Sequence, residues 1–160
     1  MMFGRLLLLV SMMMLAVPSQ AQGPRTTPNV ALPTPDPLTL SRILWGTMVS
    51  IHDANTSGNY SVLRDTGATN FQIQNSAAQL AETFRYLREQ QIDLSNTLLL
   101  APEFTQPPQM VAADVLRLQG VFGLRPVAIQ FDIHYQWQAN RWKVLAIGLQ
   151  PLTLQNVQGG

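Results

Sequence analysis

Apolar side chains recur at intervals of three and four through Leu40, Ile43, Leu44, Thr47, Met48 and Ile51, laying one stripe along a helix. Asp36-Pro37 predicts its start, because the carboxylate accepts free first-turn amide hydrogens and proline, which lacks one, fits that turn. Asn55 to Gly58 ends it. A short second helix is predicted from Tyr60 to Asp65, ahead of Gly67, with Val62 and Leu63 inward. A third starts at Ser76, which forms a capping box with Gln79, and continues through Ala77, Leu80, Ala81, Phe84, Leu87 and Arg88 until polar Glu89-Gln90-Gln91.

After Asp93 the period changes from helical to alternating. Strands are predicted over Thr97 to Leu100, with Phe104 extending the run past Pro102, and over Val115 to Phe122. Gly123 to Pro126 turns the chain. Val127, Ile129, Phe131, Ile133, Tyr135 and Trp137 then share one face of a long strand, with Ala128, Gln130, Asp132, His134, Gln136 and Gln138 on the other. Ala139-Asn140 makes a tight hairpin turn, and Trp142 to Gln150 returns with Leu145, Ile147 and Leu149 on one face. Helices followed by antiparallel strands specify an α+β domain over residues 36–152.

The ends have a different texture. Arg5 precedes an apolar run from Leu6 to Val17, and Ser19 and Ala21 place small residues before a cut, the order of a secretory signal over residues 1–21. The run is too short to span a hydrocarbon core of about 30 Å, so no membrane anchor is expected after cleavage. Residues 22–35 hold prolines at 24, 28, 33 and 35 and predict an extended linker. Residues 153–160 are polar, end in Gly-Gly and predict a frayed tail.

Export implies a periplasmic or secreted location, where disulfides are common, yet the chain has no cysteine and depends on its apolar core. Five of the seven Met residues fall in the signal, so Met richness marks no binding stripe. Removing Arg5 leaves nine basic against nine acidic residues, and a neutral, scattered charge offers no electrostatic case for nucleic acid.

Three helices followed by a sheet that closes on FDIHYQWQANRWKVLAIGLQP resemble the nuclear transport factor 2-like, or cystatin-like, superfamily. Through SGNYSVLRDTGATNF, LAETFRYLREQQIDLS and LLLAPEFTQPP the chain looks most similar to small periplasmic proteins of proteobacteria within it. The resemblance covers about Leu38 to Pro151 and implies helices packed on the concave side of a curved antiparallel sheet, a cone that can hold an apolar pocket. Expected lining residues are Trp45, Met48, Tyr60, Phe71, Phe84, Phe131, Tyr135 and Trp142. Each also reads as plain core, since aromatics at buried spacing usually fill volume. The superfamily hosts enzymes and binding domains alike, so fold does not give function.

The chemistry is sparse. An isomerase or dehydratase site needs a carboxylate base and a neutral donor in a dry pocket, for which Asp53 or Asp65 with Tyr60 are the candidates. Asp132 alternates away from the apolar face and should sit beside His134. Asp65, next to Arg64, also reads as a surface group, and His52 beside Asp53 as a histidine stabilised at a helix C-terminus. No metal site or cofactor is expected: the only two histidines, His52 and His134, come without HExxH, paired carboxylates or cysteines. No GxSxG turn or phosphate loop occurs. Asn55-Thr56-Ser57 and Asn59-Tyr60-Ser61 match the glycosylation pattern but read as caps and turns.

The expected function is therefore an exported, non-enzymatic domain that binds a small apolar ligand or a protein partner, with a homodimer through the polar sheet face as one form. The alternatives are an isomerase-type enzyme with a pocket carboxylate and an envelope scaffold, the latter requiring a large apolar patch.

Overall fold

The computed structural model describes residues 31–153. The expected signal, the linker up to residue 30 and the tail after Thr153 lie outside the described residues. Within them no helix is long and apolar enough to cross a membrane.

Asp36 caps α1 (Pro37–Ser57), its Oδ1 accepting the Thr39 amide hydrogen at 3.0 Å, and Gly58 at φ 71° ends the helix in the left-handed conformation open to glycine. Leu40, Leu44, Met48 and Ile51 form its buried stripe. In α2 (Ser61–Thr66) only Leu63 is buried; Val62, expected inward, is 65 % exposed. Neighbours on a helix point about 100° apart, so one turn cannot bury both. α3 (Thr69–Gln74) has no apolar period to announce it and buries Phe71 alone.

The Ser76/Gln79 capping box is present, with Ser76 N donating to Gln79 Oε1 at 2.8 Å and Gln79 N to Ser76 Oγ at 3.2 Å. It opens α4 (Ala77–Thr83), but the expected continuous helix breaks at Phe84 (φ −98°, ψ 11°) before α5 (Arg85–Glu89). The strand expected at Thr97 to Leu100 is instead a 3-10 helix over Leu94–Leu99. Local polar chemistry bends the chain: Asp93 accepts the Ser95 amide hydrogen at 2.9 Å and its hydroxyl at 2.6 Å, and the Thr97 hydroxyl returns to Leu94 O at 2.7 Å.

The sheet is antiparallel, five-stranded and not closed into a barrel. β3 (Val115–Phe122), β4 (Val127–Gln138) and β5 (Arg141–Thr153) are its body, and β1 (Glu103–Phe104) and β2 (Gln109–Ala112) pair with different stretches of the far edge of β3. β2 is short and mostly exposed, so it carries no alternation by which a sequence reading would find it. Core-facing pairs run Leu116 to Tyr135, Leu118 to Ile133, Gly120 to Phe131 and Phe122 to Ile129. The β4–β5 turn uses Ala139 and Asn140 at φ 51° and 60°, the positive values a two-residue hairpin of right-handed twist requires.

One expectation for β5 changes. A bulge opposite His134 and Tyr135 makes Leu145 an extra residue between Val144 and Ala146. Trp142 and Val144 before it, and Ile147 and Leu149 after it, pack on the core, so the alternation of Leu145 with Ile147 and Leu149 does not hold across the bulge. Trp137, expected inward, lies beyond the core at the strand end, where it meets Trp142 edge to face at 5.3 Å.

Helices and sheet enclose one core cluster. The Thr47 hydroxyl bonds the Tyr135 hydroxyl at 2.8 Å and the Ile43 carbonyl at 2.8 Å, tying α1 to β4 inside that core. Trp45 Nε1 donates to Leu100 O at 3.0 Å and ties α1 to the end of the 3-10 helix.

Candidate functional site

The expected pocket residues are placed mostly in closed interior. Met48, Tyr60, Phe71, Phe84, Phe131 and Tyr135 are buried in the core cluster, while Trp45 and Trp142 pack on its margin. Tyr60 stacks on Phe84 at 6.3 Å, Phe131 meets Phe122 at 5.3 Å, and full burial raises the Tyr135 phenol above the usual range. These rings fill one another's space.

The expected acid candidates lie apart from that interior. Asp53 is exposed on α1, and Asp65 is exposed and held by Arg64 at 2.6 Å. Tyr60, the expected donor, is buried, accepts from Arg88 Nη1 and donates to Asn55 Oδ1. No side-chain hydrogen bond joins any two of the three.

The outward face of the sheet is a polar ladder closed on itself. Arg117 grips Asp132 with Nε at 2.9 Å and Nη2 at 2.6 Å, Gln119 adds a bond at 3.1 Å, and His134 Nδ1 stands 4.0 Å away. The guanidinium and the other donors hold the Asp132 carboxyl below its ordinary range. Gln136 donates to Asp114 at 2.9 Å, and Gln138 to Gln136 at 2.9 Å. No group of three or more His, Asp or Glu side chains able to hold a metal ion lies together among the described residues.

Open space lies instead at the end of the helical layer. A cleft of about 480 Å³ is formed where the segment from Gln90 to Leu100 passes the β3–β4 turn. Ile92, Leu99, Leu100, Leu124, Pro126 and Val127 give it apolar walls, and Asp93, Asn96 and Arg125 stand among them. Leu99 is 82 % exposed, because the 3-10 helix turns Leu94 and Thr97 inward and leaves the next two leucines outside. A second cleft of about 390 Å³, walled by His52, Asn55, Arg88 and Leu87, shares Gln91, Ile92 and Asp93 with the first.

Asp93 is the hinge of the two clefts. Its oxygens receive the Ser95 amide and hydroxyl hydrogens, the Asn96 amide at 3.1 Å, and His52 Nδ1 at 3.2 Å. The Ser95 bonds, with His52 adding to them, keep its carboxyl below the ordinary range. In the sequence His52 stands beside Asp53, whereas the fold pairs it with Asp93, 41 positions along. The leucines at 98–100 fall in an expected strand, and only the 3-10 helix over Leu94–Leu99 shows that Leu99 faces out. No protein-family model matches the chain, and neither a curated protein nor a solved structure does.

Proposed function

We propose that this chain is an exported, non-catalytic binding domain of nuclear transport factor 2-like layout, and that it takes a small apolar ligand in the cleft between the Gln90 to Leu100 segment and the β3–β4 turn. The observation that carries this reading is Leu99, a large apolar side chain 82 % exposed on the wall of a 480 Å³ cleft. Exposed apolar surface gathered in a concavity is what an apolar ligand covers favourably, at about 25 cal/mol per Å². The packed interior supports the same choice, since its aromatic side chains fill its volume themselves. The surface positions of Asp53 and Asp65 favour binding over proton transfer, which needs a shielded carboxylate.

The test uses the neutral fluorescent probe N-phenyl-1-naphthylamine. It should bind one per chain, and Leu99→Glu, an exposed position whose change leaves the core intact, should weaken binding about tenfold. Probe affinity unaffected by Leu99→Glu would put the ligand elsewhere and sink the reading.

A further inference from the structure

Three guanidinium groups are partly buried among the described residues: Arg64, Arg88 and Arg117. A cation drawn out of water needs a counter-charge or full hydrogen bonding. Arg64 holds Asp65 and Arg117 holds Asp132, each at 2.6 Å, but Arg88 has no carboxylate among the described residues. Arg88 Nη1 donates to the Tyr60 hydroxyl and Nη2 to Ala81 O at 2.9 Å, and its Cζ stands 5.6 Å from the Tyr60 ring centre. Two of the five N–H groups of a guanidinium are thereby used. Asp93, the acid on the same cleft, is already occupied by Ser95, Asn96 and His52.

A second unsatisfied donor lies on that wall. Because the Tyr60 hydroxyl accepts from Arg88, its own hydrogen goes to Asn55, which fixes the amide with Oδ1 toward Tyr60. Asn55 Nδ2 is then left shielded from solvent with no acceptor, the only such side-chain atom among the described residues. A guanidinium without its anion and an amide without its acceptor on one cleft share a single remedy, a ligand rich in acceptors and negatively charged.

We infer that the Arg88, Asn55 and His52 cleft receives the carboxylate of an amphipathic ligand, whose apolar chain passes Ile92 into the cleft of Leu99 and Leu124. This rests on the binding reading above and names the class of ligand: an aliphatic monocarboxylate. The carboxylate completes the free side of the Arg88 fork, and Ile92, common to both clefts, carries the chain between them.

Calorimetric titration of the full chain with decanoate, decanol and acetate separates the two ideas. Decanoate should bind about tenfold or more tightly than decanol, the worth of one charge-assisted contact. Arg88→Gln should erase that difference while leaving decanol affinity in place. The Asn55 side-chain amide signal in nitrogen-15 NMR should move with decanoate and not with decanol, a readout on the unmodified chain that stands even if Arg88→Gln fails to fold. Equal affinity for decanoate and decanol, or an unmoved Asn55 signal, overturns the carboxylate site and leaves the apolar cleft standing. Failure of both long-chain probes to bind overturns the cleft reading together with it. Acetate binding as tight as decanoate, dependent on Arg88, overturns the amphipathic ligand in favour of a simple anion.

Discussion

Gly120 stands on the core side of β3 beneath a crossing of other groups. A Cβ there would lie 2.3 Å from Glu103 O and 2.6 Å from Phe131 Cζ, so neither β1 nor the Phe131 ring can keep its place over a larger residue. The ring is also held by Phe104 edge to face at 6.3 Å and cannot swing aside freely. Gly120→Ala should cost about 1–3 kcal/mol, the range for overpacking a filled core, read as a lower urea midpoint at unchanged slope. A wild-type midpoint would show that β1 is not fixed against β3. Residue-scale signals of short range were legible in the sequence: the Asp36 cap and the Ser76/Gln79 box require only partners three positions away. The packing role of Gly120 was not, since Glu103 and Phe131 reach it only in the folded sheet.

Elements with a long, clean period were readable, and those set by a few polar atoms were not. β4 carries its alternation through Tyr135, and α1 its stripe from Leu40 to Ile51, because burial repeats over many residues. Leu94–Leu99 became a 3-10 helix because Asp93 collects Ser95 and Asn96, a choice that apolar pattern does not record. The same distance effect hid the clefts, whose walls come from segments some thirty positions apart. Between β3 and β4 the Arg117 to Asp132 pair is an element-scale bond with a definite pH signature. The folded carboxyl titrates below its unfolded value of about 3.9, so the pair contributes fully above that value and its contribution fades as pH falls through the lower folded value. Both side chains are more than a third exposed, so screening limits the pair to about 0.5–1 kcal/mol. Asp132→Asn should lower stability by that amount at neutral pH and leave a shallower loss on acidification, measured as urea midpoints across the acid limb. Parallel acid limbs for the two proteins would refute the assignment.

At the scale of the molecule, two layers are joined by few polar ties within a large apolar contact. Tyr135 reaches from β4 to Thr47 and the Ile43 carbonyl on α1, and Tyr86 reaches from α5 to the Leu149 carbonyl on β5. Tyr135→Phe removes one tie while Thr47 keeps its bond to Ile43, so the loss should be about 1 kcal/mol and the thermal midpoint should fall by about 4 °C. An unchanged midpoint would mean that the hydroxyl contributes nothing to holding helix on sheet. The α+β layout was legible because the period switches after Asp93, while the closed interior was not, since aromatics that line a pocket and aromatics that fill one share the same spacing.

β5, thirteen residues long, lies at an edge of the sheet. Its outward carbonyls at Val144 and Leu149 are taken by the Ala68 amide hydrogen at 2.8 Å and the Tyr86 hydroxyl at 2.7 Å, and the Leu145 bulge breaks the register between them. Together they deny a foreign strand an even row of acceptors to zip along. The helices thus serve the protein's colloidal safety as well as its core: a chain without disulfides, met by crowded neighbours, keeps its longest β-ribbon from seeding fibrils.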